Sequence, residues 1–370
     1  MLRTMAKTDS NPGHSGASLL PLRAQPRDLA WPTETWVSGD LDDRVDRSAL
    51  SGLLDHAFSQ PDPEDLDRTH SLVVIQRGKL VVEHHAAGTQ PNDTFLSWSM
   101  AKSITNALVG ILVRQGKLNL QDPVSATEWP GSDKRQRITI DQMLRMEDGL
   151  RFREAEDLGG GSIRYYPAEE SDVIPMLFGE GKDDVAGFAA TLPYIAEPDT
   201  QWNYNSGASN LLSRLVSDTI GGGEEGMRDF MRRELFDPIG MKTADPRFDQ
   251  AGHFIGGSHC YCSALDFARF GYLFLRDGVW EGQRILPPGW VDYSRTPTPH
   301  APDGCYGAHF WVIPGSLGIF YCSGMGGQRV MISPSLDLVV VRMGKTEPHK
   351  VGAVVQFCKE LVDLFRPTRG

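Results

Sequence analysis

The stretch Phe95-Leu96-Ser97-Trp98-Ser99-Met100-Ala101-Lys102 runs into Ile104, Leu108, Ile111 and Leu112. Those apolar residues recur at helical spacing, which predicts a helix over roughly 103–115 with Ser99 at or just before its N-terminus. Residues three apart share a helix face, so Ser99 and Lys102 point the same way. A serine hydroxyl is a poor nucleophile until a base takes its proton. A lysine amine serves as that base when burial or a neighbouring cation lowers its pKa. The helix start adds free backbone N–H groups that suit an oxyanion. The same four residues also fit an N-capping serine followed by a solvated lysine. Two features favour chemistry. No other lysine in the chain has a serine three residues before it, and the segment after Lys102 is too apolar for a surface helix.

Outward from this point the pattern divides in three. Ser71–Gln76 and Lys79–Glu83 are β-rich runs joined by Arg77-Gly78, a hairpin signal. Between Ser99 and about Trp290 the periodicity is mainly helical, with helices expected near 138–147, 207–220, 226–236 and 264–277. From Phe310 the chain returns to strands, near Phe310–Ile313, Gly318–Cys322, Arg329–Ser333 and Leu336–Met343, before an amphipathic helix from Val351 to Leu364. Strands at both ends predict one antiparallel sheet in an α+β fold, with flanking helices and an inserted helical region. The expected division is a mobile N-terminal extension over 1–40, a discontinuous sheet domain over 41–98 and 300–370, and a mostly helical domain over 99–299. A cleft is expected where the two domains meet. In the weakly periodic stretch Glu154–Asp184, Tyr165-Tyr166 and Ser171–Phe178 are candidates for its wall.

Composition narrows the class. The 370 residues are 40% hydrophobic and 23% charged, with a net charge of −11, which argues against a nucleic-acid partner. No apolar run reaches bilayer-spanning length, so no membrane partner is expected. The five cysteines are odd in number and irregularly spaced, and with no export signal they predict reduced thiols in the cytoplasm. Cys260 and Cys262, with His253 and His259 nearby, lack a second ligand pair at zinc spacing, so no metal and no cofactor are expected.

Two further segments carry chemistry. Gln201-Trp202-Asn203-Tyr204-Asn205-Ser206-Gly207 precedes a helix with Leu211, Leu212, Leu215 and Val216. A phenol there can project into a cleft, and beside a lysine ammonium its pKa is expected to fall, which suits a proton relay. It also reads as a half-buried core tyrosine. Cys322-Ser323-Gly324-Met325-Gly326-Gly327-Gln328 joins two strand runs, where glycine marks a close approach of ligand or backbone, or else a bulge.

Taken together, Ser99-Met100-Ala101-Lys102, Tyr204-Asn205-Ser206 and Cys322-Ser323-Gly324 resemble the three motifs of the serine β-lactamase, penicillin-binding-protein and related esterase superfamily. The resemblance extends from about Leu72 to Leu364. The segment from Ser97 to Ser103, with Ala268-Arg269-Phe270-Gly271, Ile285–Val291 and Gly327-Gln328, is similar to the esterase and 6-aminohexanoate-dimer hydrolase-like branch. The resemblance implies a β-lactamase/transpeptidase-like fold. It implies Ser99 as acylated nucleophile, Lys102 as base and Tyr204 as proton relay. Oxyanion donors would be the N–H groups of Ser99 and Met325. Ser206, Ser323, Gly324 and Gly326 would contact substrate, with Ser206 polarising the Lys102–Tyr204 pair. The chain departs from the family at Cys322, which stands where β-lactamases carry a cation for the substrate carboxylate. A histidine found near Gly326 in some amide-hydrolysing relatives is absent. Both departures favour a neutral small-molecule ester, or a small amide. A β-lactamase or oligomer amide hydrolase on the same site, and a catalytically inactive ligand-binding homologue, are the alternatives. A Ser-His-Asp α/β-hydrolase lacks its Gly-x-Ser-x-Gly elbow here; the nearest string is Gly13-His14-Ser15-Gly16-Ala17.

Overall fold

The computed structural model describes residues 19–157, 163–315 and 318–367. Its main sheet contains β1 (Arg68–Gln76), β2 (Lys79–His85), β3 (Trp311–Val312), β4 (Phe320–Gly324), β5 (Gln328–Ser333) and β6 (Leu338–Lys345). The order is β3-β4-β5-β6-β1-β2, with every neighbouring pair antiparallel. The β1–β2 hairpin turns at Arg77 and Gly78, both at positive φ, the geometry that a tight hairpin of this hand needs. Strands from both ends of the chain thus share one sheet, as the alternating pattern predicts.

Alternation along the strands sends two apolar faces to two partners. Val73, Ile75, Val330, Ile332, Val339 and Val341 pack with helices α2 (Ala101–Arg114), α3 (Ser206–Ile220) and α4 (Ala264–Leu275). Gly271 lets α4 lie close to the sheet, since a Cβ there would sit 2.6 Å from Val330 Cγ1. Leu72, Val74, Met331, Leu338 and Val340 pack on the other face with Leu50 of helix Arg47–Ala57 and with Phe357 and Leu361 of helix Val351–Asp363.

Two expectations need adjustment. The helix read over 138–147 is only Ile140–Leu144. Met146 and Gly149 lie at positive φ, so the chain leaves the helix before its apolar periodicity ends. The N-terminal extension drawn to residue 40 includes residues that pack firmly. Arg269 Nε donates to Pro32 O at 2.7 Å, Trp280 Nε1 to Thr33 Oγ1 at 2.7 Å and Leu80 N to Val37 O at 2.9 Å. Trp31 and Trp36 meet Tyr272 edge-to-face. The polar, proline-rich composition of this stretch hides the two tryptophans that anchor it. The rest of that extension, residues 1–18, and the Gly13–Ala17 string lie outside the described residues. No helix among the described residues is long and apolar enough to cross a membrane.

Candidate active site

Ser99 sits in a single 3-10 turn, Trp98–Met100, that feeds directly into α2. Ser97 anchors the turn. Its N–H donates to Cys260 O at 2.9 Å, and its hydroxyl accepts from Cys260 N at 3.0 Å and donates to Ser258 O at 3.1 Å. Trp98 then adopts φ +46°, a left-handed conformation that costs a bulky aromatic about 1–3 kcal/mol. The result is a sharp elbow that presents Ser99 to a cavity of about 340 Å³.

Lys102 is buried one turn further on, 1% exposed. An ammonium has three donors, and here all three are used. Lys102 Nζ donates to Ser99 Oγ at 3.1 Å, to Ser206 Oγ at 2.6 Å and to Gly257 O at 3.1 Å. Burial lowers the Lys102 pKa from the ordinary lysine value, while the Glu154 carboxylate, 3.8 Å from Nζ, pulls the other way. Desolvation dominates, so the amine is biased toward its neutral, basic form.

Ser206 is the first residue of α3, whose N-cap Asn205 accepts from Ala208 N at 3.0 Å. Tyr204 precedes it and sits in an aromatic cage, with Trp311 at 5.3 Å and Tyr306 at 5.9 Å between ring centroids. Lys102 Nζ lies 4.7 Å from the centre of the Tyr204 ring, and the phenol shares a hydrogen bond with Ser99. The expected fall in the Tyr204 pKa does not occur. Burial among aromatics raises it well above the ordinary phenol value, and the Ser99 hydrogen bond offsets this only partly. Tyr204 therefore keeps its proton across the physiological range.

The third motif closes the site. Gly324 of β4 presses against the elbow: a Cβ there would lie 2.2 Å from Ser97 O. Ser323, Gly324 and Met325 line the cavity beside Ser99 and Tyr204. Cys322 points to the opposite face of its strand, buried against α2, and burial pushes its thiol up to about 12. Gly326 and Ser206 do not line the cavity. Gly326 instead forms the tight turn after β4, at φ +74°, where its carbonyl accepts from Arg342 Nη1 and Thr346 N, both at 3.0 Å. Ser206 is buried between Glu154, which lines the cavity, and Lys102 in a hydrogen-bond chain.

Glu154 and Gly257 are absent from the sequence-based set of site residues. Glu154 lies in the aperiodic stretch, where no spacing rule points to it. Gly257 was legible in part, since Gly256-Gly257 marks a close approach, and a Cβ at Gly257 would lie 3.0 Å from Ser206 O. Of the aperiodic stretch, Tyr165, Tyr166, Ser171, Val173 and Ile174 do wall the cavity, as read from sequence. Among the described residues, Glu154 is the one charged side chain in that wall. Arg342 is buried and spends its donors on backbone carbonyls and Thr69, and Arg329 is buried under Gly324 and Gln328. Cys260 and Cys262 are free and buried. His253 groups with Asp184 and Asp249 rather than with them, and both carboxylates accept backbone N–H groups near the start of helix Val185–Thr191.

A serine elbow at a helix start, a buried lysine beside it and a strand edge closing the cavity are arranged on a β-lactamase/transpeptidase-like fold. The Beta-lactamase family profile matches residues 67–354, and the chain belongs to that family. It is 23% identical over 306 residues to the 6-aminohexanoate-dimer hydrolase of Paenarthrobacter ureafaciens, covering 74% of this chain and 72% of that one. In structure it resembles a candidate 6-aminohexanoate-dimer hydrolase from Bacillus anthracis, with TM-score 0.72 and 20% identity over 94% and 90% of the two chains. It also resembles EstCE1, a hydrolase with promiscuous acyltransferase activity, with TM-score 0.62 and 15% identity over 86% and 98%.

Proposed function

We propose that this chain hydrolyses carboxylic esters of small molecules through an acyl-enzyme on Ser99, with small amides as a slower substrate class. The observation that carries the reading is the 3.1 Å approach of a buried lysine amine to the Ser99 hydroxyl. Lys102 takes the Ser99 proton as the Oγ–C bond forms. The N–H groups of Ser99 and Met325 hold the oxyanion. The C–O bond to the leaving alcohol then breaks. Tyr204 donates its proton to the departing alkoxide and recovers one from the Lys102 ammonium. Water attacks the acyl carbon and yields its proton to the same pair; the C–Oγ bond breaks, Ser99 Oγ takes that proton, and the acid leaves. The opposite pKa directions support Lys102 as base and Tyr204 as donor.

The ester preference rests on charge. A β-lactam or peptide stem carries a carboxylate, and burying it without a cation is costly. The described wall offers only the Glu154 carboxylate. The five cysteines form no disulfide, which fits a reducing compartment that we take to be the cytoplasm. Similarity to an amide hydrolase keeps a second reading, in which linear amides are the better substrates.

Three measurements test this. Labelling with a fluorophosphonate is expected to modify Ser99 alone, and Ser99→Ala is expected to lose at least about 10⁴-fold in ester turnover. Ester activity within about tenfold of wild type in that variant would rule Ser99 out as nucleophile. Short-chain p-nitrophenyl esters are expected to exceed nitrocefin in kcat/KM by at least about a hundredfold, or about 2.7 kcal/mol. Equal efficiency on nitrocefin, or faster turnover of linear amides, removes the ester reading and leaves the Ser99 mechanism.

A further inference from the structure

Glu154 makes a two-pronged contact with the first residue of α3. Its Oε2 accepts from Ser206 N at 2.8 Å, and its Oε1 accepts from Ser206 Oγ at 2.9 Å. Ser206 Oγ in turn accepts from Lys102 Nζ at 2.6 Å, and Lys102 donates on to Ser99. The direction of the hydrogens at the Glu154 end of this chain is fixed. A carboxylate can only accept, so the Ser206 hydroxyl must donate to it. That leaves the hydroxyl's lone pairs to face Lys102. Among the described residues, Glu154 is the one acidic side chain within 4 Å of Lys102 Nζ.

We infer that Glu154 is a positioning residue: through Ser206 it holds the Lys102 amine against Ser99, and its charge stabilises the ammonium that forms as Ser99 attacks. The inference rests on the proposed role of Ser99 and Lys102, and it goes beyond the three motifs. Without Glu154 the buried ammonium would meet neutral groups alone. The phenols of Tyr204, Tyr165 and Tyr306 face the carboxylate from three other segments. His309, on the far side of Lys102, bonds Ser209 Oγ and Leu144 O at 2.8 Å each, and burial drives its pKa down to about 3, so it brings no charge. A purely structural role is also available, because Ser206 N is an orphan amide at a helix start and Glu154 satisfies it. The two roles differ in what they do to pH dependence.

The sign follows from the charge. An anion beside a lysine favours the ammonium, so removing it lowers the pH at which the amine becomes neutral. The test is the rate of fluorophosphonate labelling of Ser99 against pH, in the full chain, for wild type, Glu154→Gln and Ser206→Ala. This readout needs no ester substrate. Failure of the ester reading and failure of this inference are therefore separate results. In Glu154→Gln the acid limb is expected to move down by about one pH unit or more. The alkaline plateau is expected to fall at least about threefold, because the base is weaker and less well held. The Gln carbonyl can still accept from Ser206 N, which preserves the helix start. Ser206→Ala keeps the bond from its own N–H to Glu154 and cuts the hydroxyl link; it is expected to lower the plateau with a smaller movement of the limb. An acid limb that stays at the wild-type pH in Glu154→Gln overturns the inference, and if that variant does not fold, an unchanged profile in Ser206→Ala does so. Normal labelling followed by a stalled acyl-enzyme on esters also overturns it, since Glu154 would then act on water in deacylation.

Discussion

The floor of the cavity and its rim are built on opposite plans. At the floor, Glu154 and the two residues bonded in series behind it, Ser206 and Lys102, are each less than a tenth exposed, and each polar contact is matched by a partner. At the rim, Tyr165, Ile174, Phe178 and Met325 are between 40% and 57% exposed. Lys102 and Ser206 belong to α2 and α3, both deep in the main core. Ile174 and Phe178 belong to a six-residue helix, Val173–Phe178, Tyr165 to a three-residue strand and Met325 to a single 3-10 turn. Rigid placement suits bond making, where an error of 1 Å is costly, while an adaptable apolar rim suits choice among substrates. Changes in the floor should therefore act on kcat, and changes in the rim on KM.

After Ser99 itself, the largest effect is expected at Lys102. Lys102→Arg keeps the charge but cannot release a proton near neutrality. It should cost at least about a hundredfold in kcat, the usual contribution of a positioned base. In the wild-type enzyme, activity should rise with pH as Lys102 becomes neutral. Because burial lowers that pKa, the rise should fall below the ordinary lysine range near about 10.4. A Lys102→Arg enzyme with near-normal kcat would reduce the lysine to a structural cation and end the contrast between floor and rim.

Tyr204→Phe comes next. It removes one hydroxyl and leaves the packing against Trp311 and Tyr306 intact. A fall of about tenfold or more in kcat, with KM within about threefold, is expected if the phenol acts on the leaving group. A large rise in KM with kcat kept would move Tyr204 from the chemistry to substrate contact.

The same contrast explains what the sequence reveals. Helix and sheet periodicities are local, so the strands of the main sheet and helices α2 to α4 are readable from spacing, as is the Ser99–Lys102 pair one turn apart. Tyr204 and Met325 were reached through motif order. Glu154 was not. It meets Ser206 across 52 residues, from a segment with no periodicity, and only the folded chain brings the two together. The turn at Gly326 shows a related limit. A glycine that binds substrate and a glycine that allows a positive φ look alike in a sequence, and Gly326 adopts the positive φ. The Tyr204 pKa was misjudged because its sign depends on burial, and the cage that buries it comes from Trp202, Tyr306 and Trp311.

The smallest expected effect lies at the rim, and it tests the other half of the contrast. Ile174 lines the cavity and Phe178 lies four residues on, so both share one face of the helix Val173–Phe178. Together they continue the apolar wall outward from Val173. An acyl chain long enough to leave the cavity would cover them and gain about 0.8 kcal/mol for each methylene fully buried. Wild-type kcat/KM is thus expected to rise from p-nitrophenyl acetate to medium-chain esters. In the double variant Ile174→Ser, Phe178→Ser that rise should shrink by about fivefold, or about 1 kcal/mol. The change should appear in KM, with acetate turnover altered by less than about twofold. A matching loss on acetate would mean that the helix supports the floor after all.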